Sequence, residues 1–88
     1  MGWRVEFTPA AAKQLRKLDR QSAGRIAAYL QEVVSNCGHP RERGKGLTAN
    51  RAGLWRYRVG DYRVICELEQ DKLLVLVVRV AHRSQAYD

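Results

Sequence analysis

The sequence predicts an α+β domain: an antiparallel sheet of about four strands with an N-terminal helical hairpin packed on one face. Three observations carry this prediction. Residues 54–68, Leu-Trp-Arg-Tyr-Arg-Val-Gly-Asp-Tyr-Arg-Val-Ile-Cys-Glu-Leu, alternate in character on both sides of Gly60-Asp61, as two strands joined by a tight turn do. Ile26, Tyr29, Leu30, Val33, Val34 and Cys37 recur with the spacing of an amphipathic helix. Leu73 to Val80 is the most apolar stretch and reads as a central strand covered on both faces.

The elements follow in order. Residues 2–7 place Trp3, Val5 and Phe7 on one side and Gly2, Arg4 and Glu6 on the other, as in a short half-buried strand. Thr8-Pro9 supplies an N-cap followed by proline at the first helical position, and the helix runs to about Leu18. A second helix starts near Asp19 to Ser22, with Asp19 as its cap, and ends at Gly38, placed as a C′ residue ahead of Pro40. Residues 38–53 form a glycine-containing loop whose Arg41, Arg43, Lys45 and Arg51 outweigh Glu42. The hairpin follows, then a turn at Gln70-Asp71-Lys72, the apolar strand, and a short tail from Ala81 to Asp88. The order is strand, helix, helix, three strands and a tail, within a single domain spanning residues 1–88.

Charge narrows the range of partners. Sixteen Lys and Arg against nine Asp and Glu leave +7 on 88 residues, with a pI near 10.0, which favours an acidic partner such as nucleic acid. Cys37 and Cys66 fit neither a metal spacing nor a disulfide framework and are read as reduced thiols. The N-terminus enters an alternating pattern with no apolar targeting core, and no apolar run approaches the ~20 residues of a membrane helix. A cytoplasmic location without membrane contact is expected.

In the hairpin, alternation sets Trp55, Tyr57 and Val59 against Leu54, Arg56 and Arg58, and Tyr62, Val64, Cys66 and Leu68 against Arg63, Ile65 and Glu67. Arginines gathered on neighbouring strands repel, so their density points to an anionic ligand, for which an RNA phosphate is the candidate. The sequence has no P-loop, no Cys/His cluster and no nucleophile elbow, and its carboxylates are scattered. No metal and no cofactor is expected. RNA cleavage without a metal can use the substrate's own 2′-hydroxyl, given groups that neutralise the phosphoryl oxygens and move a proton. Arg56, Arg58, Arg63 and Arg83 suit the first task. A guanidinium stays protonated, which leaves His82 and Tyr87 for the second.

Leu54-Trp-Arg-Tyr-Arg-Val-Gly-Asp-Tyr-Arg, followed by His82-Arg-Ser-Gln-Ala-Tyr87, closely resembles the RelE toxins of the RelE/ParE superfamily, over essentially the whole chain. The resemblance implies a ribosome-dependent endoribonuclease that cuts mRNA in the A site without a metal. It also implies a cognate antitoxin that holds the toxin inactive, with operator DNA contacted only through the toxin–antitoxin complex. It assigns catalysis to Arg56, Arg58, Arg63, Arg83 and Tyr87, with His82 as a further candidate. Contacts to mRNA and rRNA fall to the loop residues Arg43, Lys45 and Arg51. Well-studied members carry lysines where this chain has Arg56 and Arg58, so that either the general base is His82 or Tyr87 or the protein is a weak nuclease. Ala49 stands where relatives often have glycine. The alternative within the superfamily is a ParE-like toxin that inhibits DNA gyrase by binding and is not a nuclease.

Overall fold

The computed structural model describes residues 2–47 and 53–85. The alternating opening forms β1 (Arg4–Phe7). Thr8 then caps α1 (Pro9–Arg16), its hydroxyl accepting from the Ala11 N–H at 3.1 Å. Asp19 caps α2 (Arg20–Asn36) in the same way through Ser22 N–H at 3.0 Å. The apolar stripe of α2 delivers Ile26, Leu30 and Val33 to full burial; each such side chain contributes about 1.5–3 kcal/mol on leaving water.

Helix α2 ends differently from expectation. Cys37 takes an extended conformation, and Gly38 does not adopt positive φ. His39 is itself extended and caps a 3-10 turn at Pro40–Glu42, its Nδ1 accepting from the Arg41 N–H at 3.1 Å. Proline at the head of that turn holds the preceding residue in the extended region, so a left-handed glycine is not needed to stop the helix.

The sheet has five strands rather than about four. β2 is Lys45–Gly46, β3 Leu54–Val59, β4 Tyr62–Glu69 and β5 Leu74–His82, in the spatial order β1-β5-β4-β3-β2. The sheet is also mixed, because β1 pairs with β5 in parallel while every other pair is antiparallel. The helical hairpin carries the chain from β1 across one face to the far edge. The meander β2 to β5 then returns beside β1, as a parallel neighbour requires of its long connection.

Helices cover one face only. Tyr57, Val59, Val64, Cys66, Leu68, Val75, Val77 and Val80 pack beneath them with Trp3, Val5 and Phe7. β5 is therefore internal to the sheet but not sandwiched as expected. A bulge interrupts it: Ile65 pairs with Arg79 and Cys66 with Val77, which leaves Val78 as the extra residue. Val75, Val77 and Val80 thereby all reach the core, and Arg79 is turned to the uncovered face.

The loop before β2 is clamped to β3. Tyr57 donates its hydroxyl to the Pro40 carbonyl at 2.7 Å, and Trp55 Nε1 donates to the Arg43 carbonyl at 2.6 Å. Gly44 lies between these two points at φ +78°. A Cβ there would stand 2.4 Å from the Arg56 carbonyl oxygen, 2.7 Å from Trp55 Nε1 and 2.8 Å from Tyr57 Cδ1. Gly44→Ala is expected to destabilise the protein by at least ~2 kcal/mol, read as a lower urea midpoint. Gly24→Ala, in an open helical position with nothing within 4 Å, is the control and should be neutral or stabilising.

Candidate functional site

Side-chain alternation settles what the uncovered face carries. Burying Tyr57 and Val59 sends Arg56 and Arg58 to the other side, and burying Val64 does the same for Arg63. The register places Arg58 directly opposite Arg63, and Arg63 opposite Ala81. The adjacent row crosses four strands as Lys45, Arg56, Ile65 and Arg79. Neighbouring strands are about 4.8 Å apart and i, i+2 residues about 7 Å apart, so five cations share one small patch. The next row, Leu54, Glu67, Leu76 and Glu6, is acidic and apolar and bounds the basic half of the face.

Within the patch the arginines differ. Arg56 is only 4% exposed, the one charged side chain that is buried among the described residues. Burial, and then the charges of Arg58 and Arg63, lower its pKa from the ordinary 12.5. Arg58 is exposed and Arg63 half-buried, its Nη1 donating to the Tyr62 carbonyl at 3.3 Å. Arg79 donates through Nη2 to the Gln85 carbonyl at 2.9 Å, tying the start of the tail to the sheet. Arg79 was not among the residues expected from the sequence; the bulge that redirects it leaves no mark in the alternation.

Arg83 lies at the hairpin end of the sheet. Its N–H donates to the Asp61 carbonyl at 2.7 Å and its Nε stands 3.9 Å from the Asp61 carboxylate. That ion pair is exposed and contributes little to stability. His82 is not with the arginines. It pairs with Tyr62 on the helix-covered face, its ring edge-on to the tyrosine at 5.6 Å. Its Nδ1 accepts from the Ser84 N–H at 3.2 Å and lies 2.9 Å from the Ser84 hydroxyl. The expected convergence of His82 with Arg56, Arg58 and Arg63 is therefore corrected: the bulge reverses the parity of the end of β5, sending Arg79 outward and His82 inward.

Of the loop cations, Lys45 joins the patch through β2. Arg43 turns away from it, its guanidinium 5.7 Å from the Tyr29 ring and 3.6 Å from the Glu32 carboxylate. Arg41 lies over Trp55 at 5.6 Å. Arg51 and Tyr87 lie outside the described residues. Among the described residues no three His, Cys, Asp or Glu side chains come together as metal ligands, and no helix is long and apolar enough to cross a membrane.

Residues 5–87 match the family model described as the ParE toxin of type II toxin–antitoxin systems, parDE. Toxin RelG of Mycobacterium tuberculosis is 29% identical over 87 residues, covering 99% of this chain and 98% of that protein. Among solved structures, the toxin–antitoxin complex RelBE2 of M. tuberculosis superposes with a TM-score of 0.83 at 27% identity, over 97% of this chain and 95% of that one. The archaeal RelE–RelB complex of Pyrococcus horikoshii gives a TM-score of 0.73 at 25% identity, over 98% of this chain and all of that one.

The clamp beneath the patch has a pH signature. Burial first, then Cys66, Tyr29 and Cys37, pushes the Tyr57 phenol well above its ordinary 10.0, and burial pushes the Cys66 thiol above its ordinary 9.0. Both groups stay neutral in the folded protein at a pH where the unfolded chain ionises. Their contribution is thus complete below pH 9 and is lost as pH rises past 9 and then 10, by up to about 1.4 kcal/mol per group and pH unit. Urea unfolding between pH 8 and 11 should show this fall. Tyr57→Phe should cost about 1–3 kcal/mol at pH 8 by stranding the Pro40 carbonyl, and should remove the part of the alkaline slope that begins near pH 10.

Proposed function

Because this chain belongs to the RelE/ParE family of toxins of type II toxin–antitoxin systems, we propose that it is a metal-independent, ribosome-dependent endoribonuclease that cuts mRNA in the A site. The observation that carries this reading is Arg58 facing Arg63 across β3 and β4, with Arg56 and Lys45 in the adjoining row, on a face that no helix covers. Like charges directly opposite cost a sheet roughly 0.2–1 kcal/mol. A phosphate over the patch relieves that repulsion through bidentate guanidinium contacts.

In this reading the patch holds the scissile phosphate and neutralises the charge growing on its equatorial oxygens. The adjacent 2′-hydroxyl attacks phosphorus in line, the 5′-oxygen leaves, and a cyclic phosphate remains. Arg56, held by burial, and Arg63, anchored to the Tyr62 carbonyl, need little reorganisation as charge develops. Proton removal from the 2′-hydroxyl falls to Tyr87, since His82 lies on the opposite face and an arginine does not give up its proton. A phenol set among cations ionises more readily than a free one, which is why the role is proposed for Tyr87 and not for a serine. Arg83, at the hairpin end, neutralises the charge on the leaving 5′-oxygen, which takes its proton from water, and Lys45, Arg43 and Arg51 serve mRNA or rRNA backbone. The partner that silences the toxin is a cognate antitoxin with an acidic segment over the arginines, and operator DNA is met only through that complex. The site of action is the cytoplasm.

The matching family model bears the ParE name, which keeps a second reading in play: gyrase inhibition by binding, without RNA cleavage. Primer extension on a defined mRNA, with stalled ribosomes and a chelator, separates the two. Cuts within A-site codons that require ribosomes are expected. Arg58→Ala should lower the cleavage rate by roughly 100-fold while leaving stability equal or slightly higher, since it removes the Arg58–Arg63 repulsion. No cuts under any condition, with loss of supercoiling in a gyrase assay, would replace the nuclease reading with the ParE one.

A further inference from the structure

The arginine face does not stop at the sheet edge. A cleft of about 360 Å³ opens there, lined by Tyr29, Gly44, Lys45, Arg56 and Arg58. Among the described residues β2 is only two residues long, so the outer edge of β3 beyond Arg56, opposite β4, has no strand beside it. Tyr29 comes from α2, on the helix side of the sheet, and the cleft joins its ring to the cationic patch on the other side. The ring is fixed by its neighbours: Tyr57 stands edge-on at 5.8 Å, and the Arg43 guanidinium lies over it at 5.7 Å, itself held near Glu32.

We propose that this cleft is the subsite for the nucleotide flanking the scissile phosphate, its base laid against the Tyr29 ring and its phosphate between Lys45 and Arg58. The proposal rests on the nuclease reading for which nucleotide is held, and on the cleft itself for what is held. The exposed cations Lys45 and Arg58, with buried Arg56 behind them, select a polyanion, and an aromatic wall adds a contact that backbone charge alone lacks. Stacking a base on an aromatic side chain contributes about 1–3 kcal/mol and tolerates any base, so Tyr29 sets affinity for a base-bearing strand without selecting its sequence.

The test is binding of an uncleavable 2′-O-methyl trinucleotide, compared with a trinucleotide lacking its bases, by fluorescence anisotropy with the purified full chain. The intact protein is expected to prefer the base-bearing strand by about 5- to 150-fold. Tyr29→Leu, which keeps apolar volume without the ring, should lose that preference, and Tyr29→Phe should keep it. Lys45→Ala should weaken both strands alike and reduce the salt slope by about 0.7. In the wild-type protein, Tyr29 ring resonances should shift with the base-bearing strand and not with the abasic one, a readout that does not depend on a variant folding. A preference that survives in Tyr29→Leu, or ring resonances that do not move, would overturn the subsite. Ribosomal cleavage is scored separately: cutting without a Tyr29-dependent preference sinks the subsite alone, and the preference without cutting sinks the nuclease reading alone.

Discussion

Parity governs this molecule. Strand side chains alternate, so each residue buried beneath the helices commits its neighbours to the face opposite the helices. Tyr57 is fully buried, edge-on to Tyr29 and hydrogen-bonded to Pro40. Arg56 and Arg58 must therefore share the opposite face, and Val64 imposes the same on Arg63. The arginine face is the reverse side of the core, and a one-residue slip of the hairpin would exchange the two. The two-residue turn at Gly60-Asp61, with Gly60 at φ +59°, pins that register and with it the meeting of Arg58 with Arg63.

The same parity sets a conflict between stability and chemistry. Arg56 is buried among like charges, and Arg58 faces Arg63 across the strand pair. The Arg58–Arg63 pairing disfavours the folded state; the valines, the buried tyrosine and the α2 stripe on the other side offset it. The loop clamp belongs to this balance. Tyr57 to Pro40, Trp55 to Arg43 and the close seat of Gly44 hold β2 against β3, and β2 sets Lys45 beside Arg56. A loop left untied would let that extra cation drift away.

Much of this was legible in the sequence because alternation and helical period are local signals. β1, both helices with their Thr8 and Asp19 caps, the hairpin and its turn all follow from them, as does the grouping of Arg56, Arg58 and Arg63. What escaped depends on non-local pairing. A two-residue strand is too short to alternate, so Lys45–Gly46 read as loop. The parallel seat of β1 beside β5 is a property of the whole path. The bulge at Val78 has the largest consequence: continuing the alternation of Val75 and Val77 would have buried Arg79 and exposed His82, whereas the inserted residue does the reverse. Tyr29 read as core because its spacing is that of the stripe; only the shortness of β2 leaves its ring at a cleft.

The bulge also gives His82 a role other than the one its place beside Arg83 suggested. On the helix side its Nδ1 accepts the Ser84 N–H, while its carbonyl accepts the Gln85 N–H at 2.8 Å. Across the sheet, Arg79 holds the Gln85 carbonyl. Two residues exchanged between faces by one extra valine thus grip the same turn from both sides, and that turn begins the tail carrying Tyr87. A guanidinium cluster supplies charge and position but no proton acceptor. In the nuclease reading the acceptor must come from outside the sheet, and the direction in which β5 releases its tail becomes part of the catalytic geometry. His82 thus holds the turn through Ser84 and Gln85 from the helix side, away from the arginines.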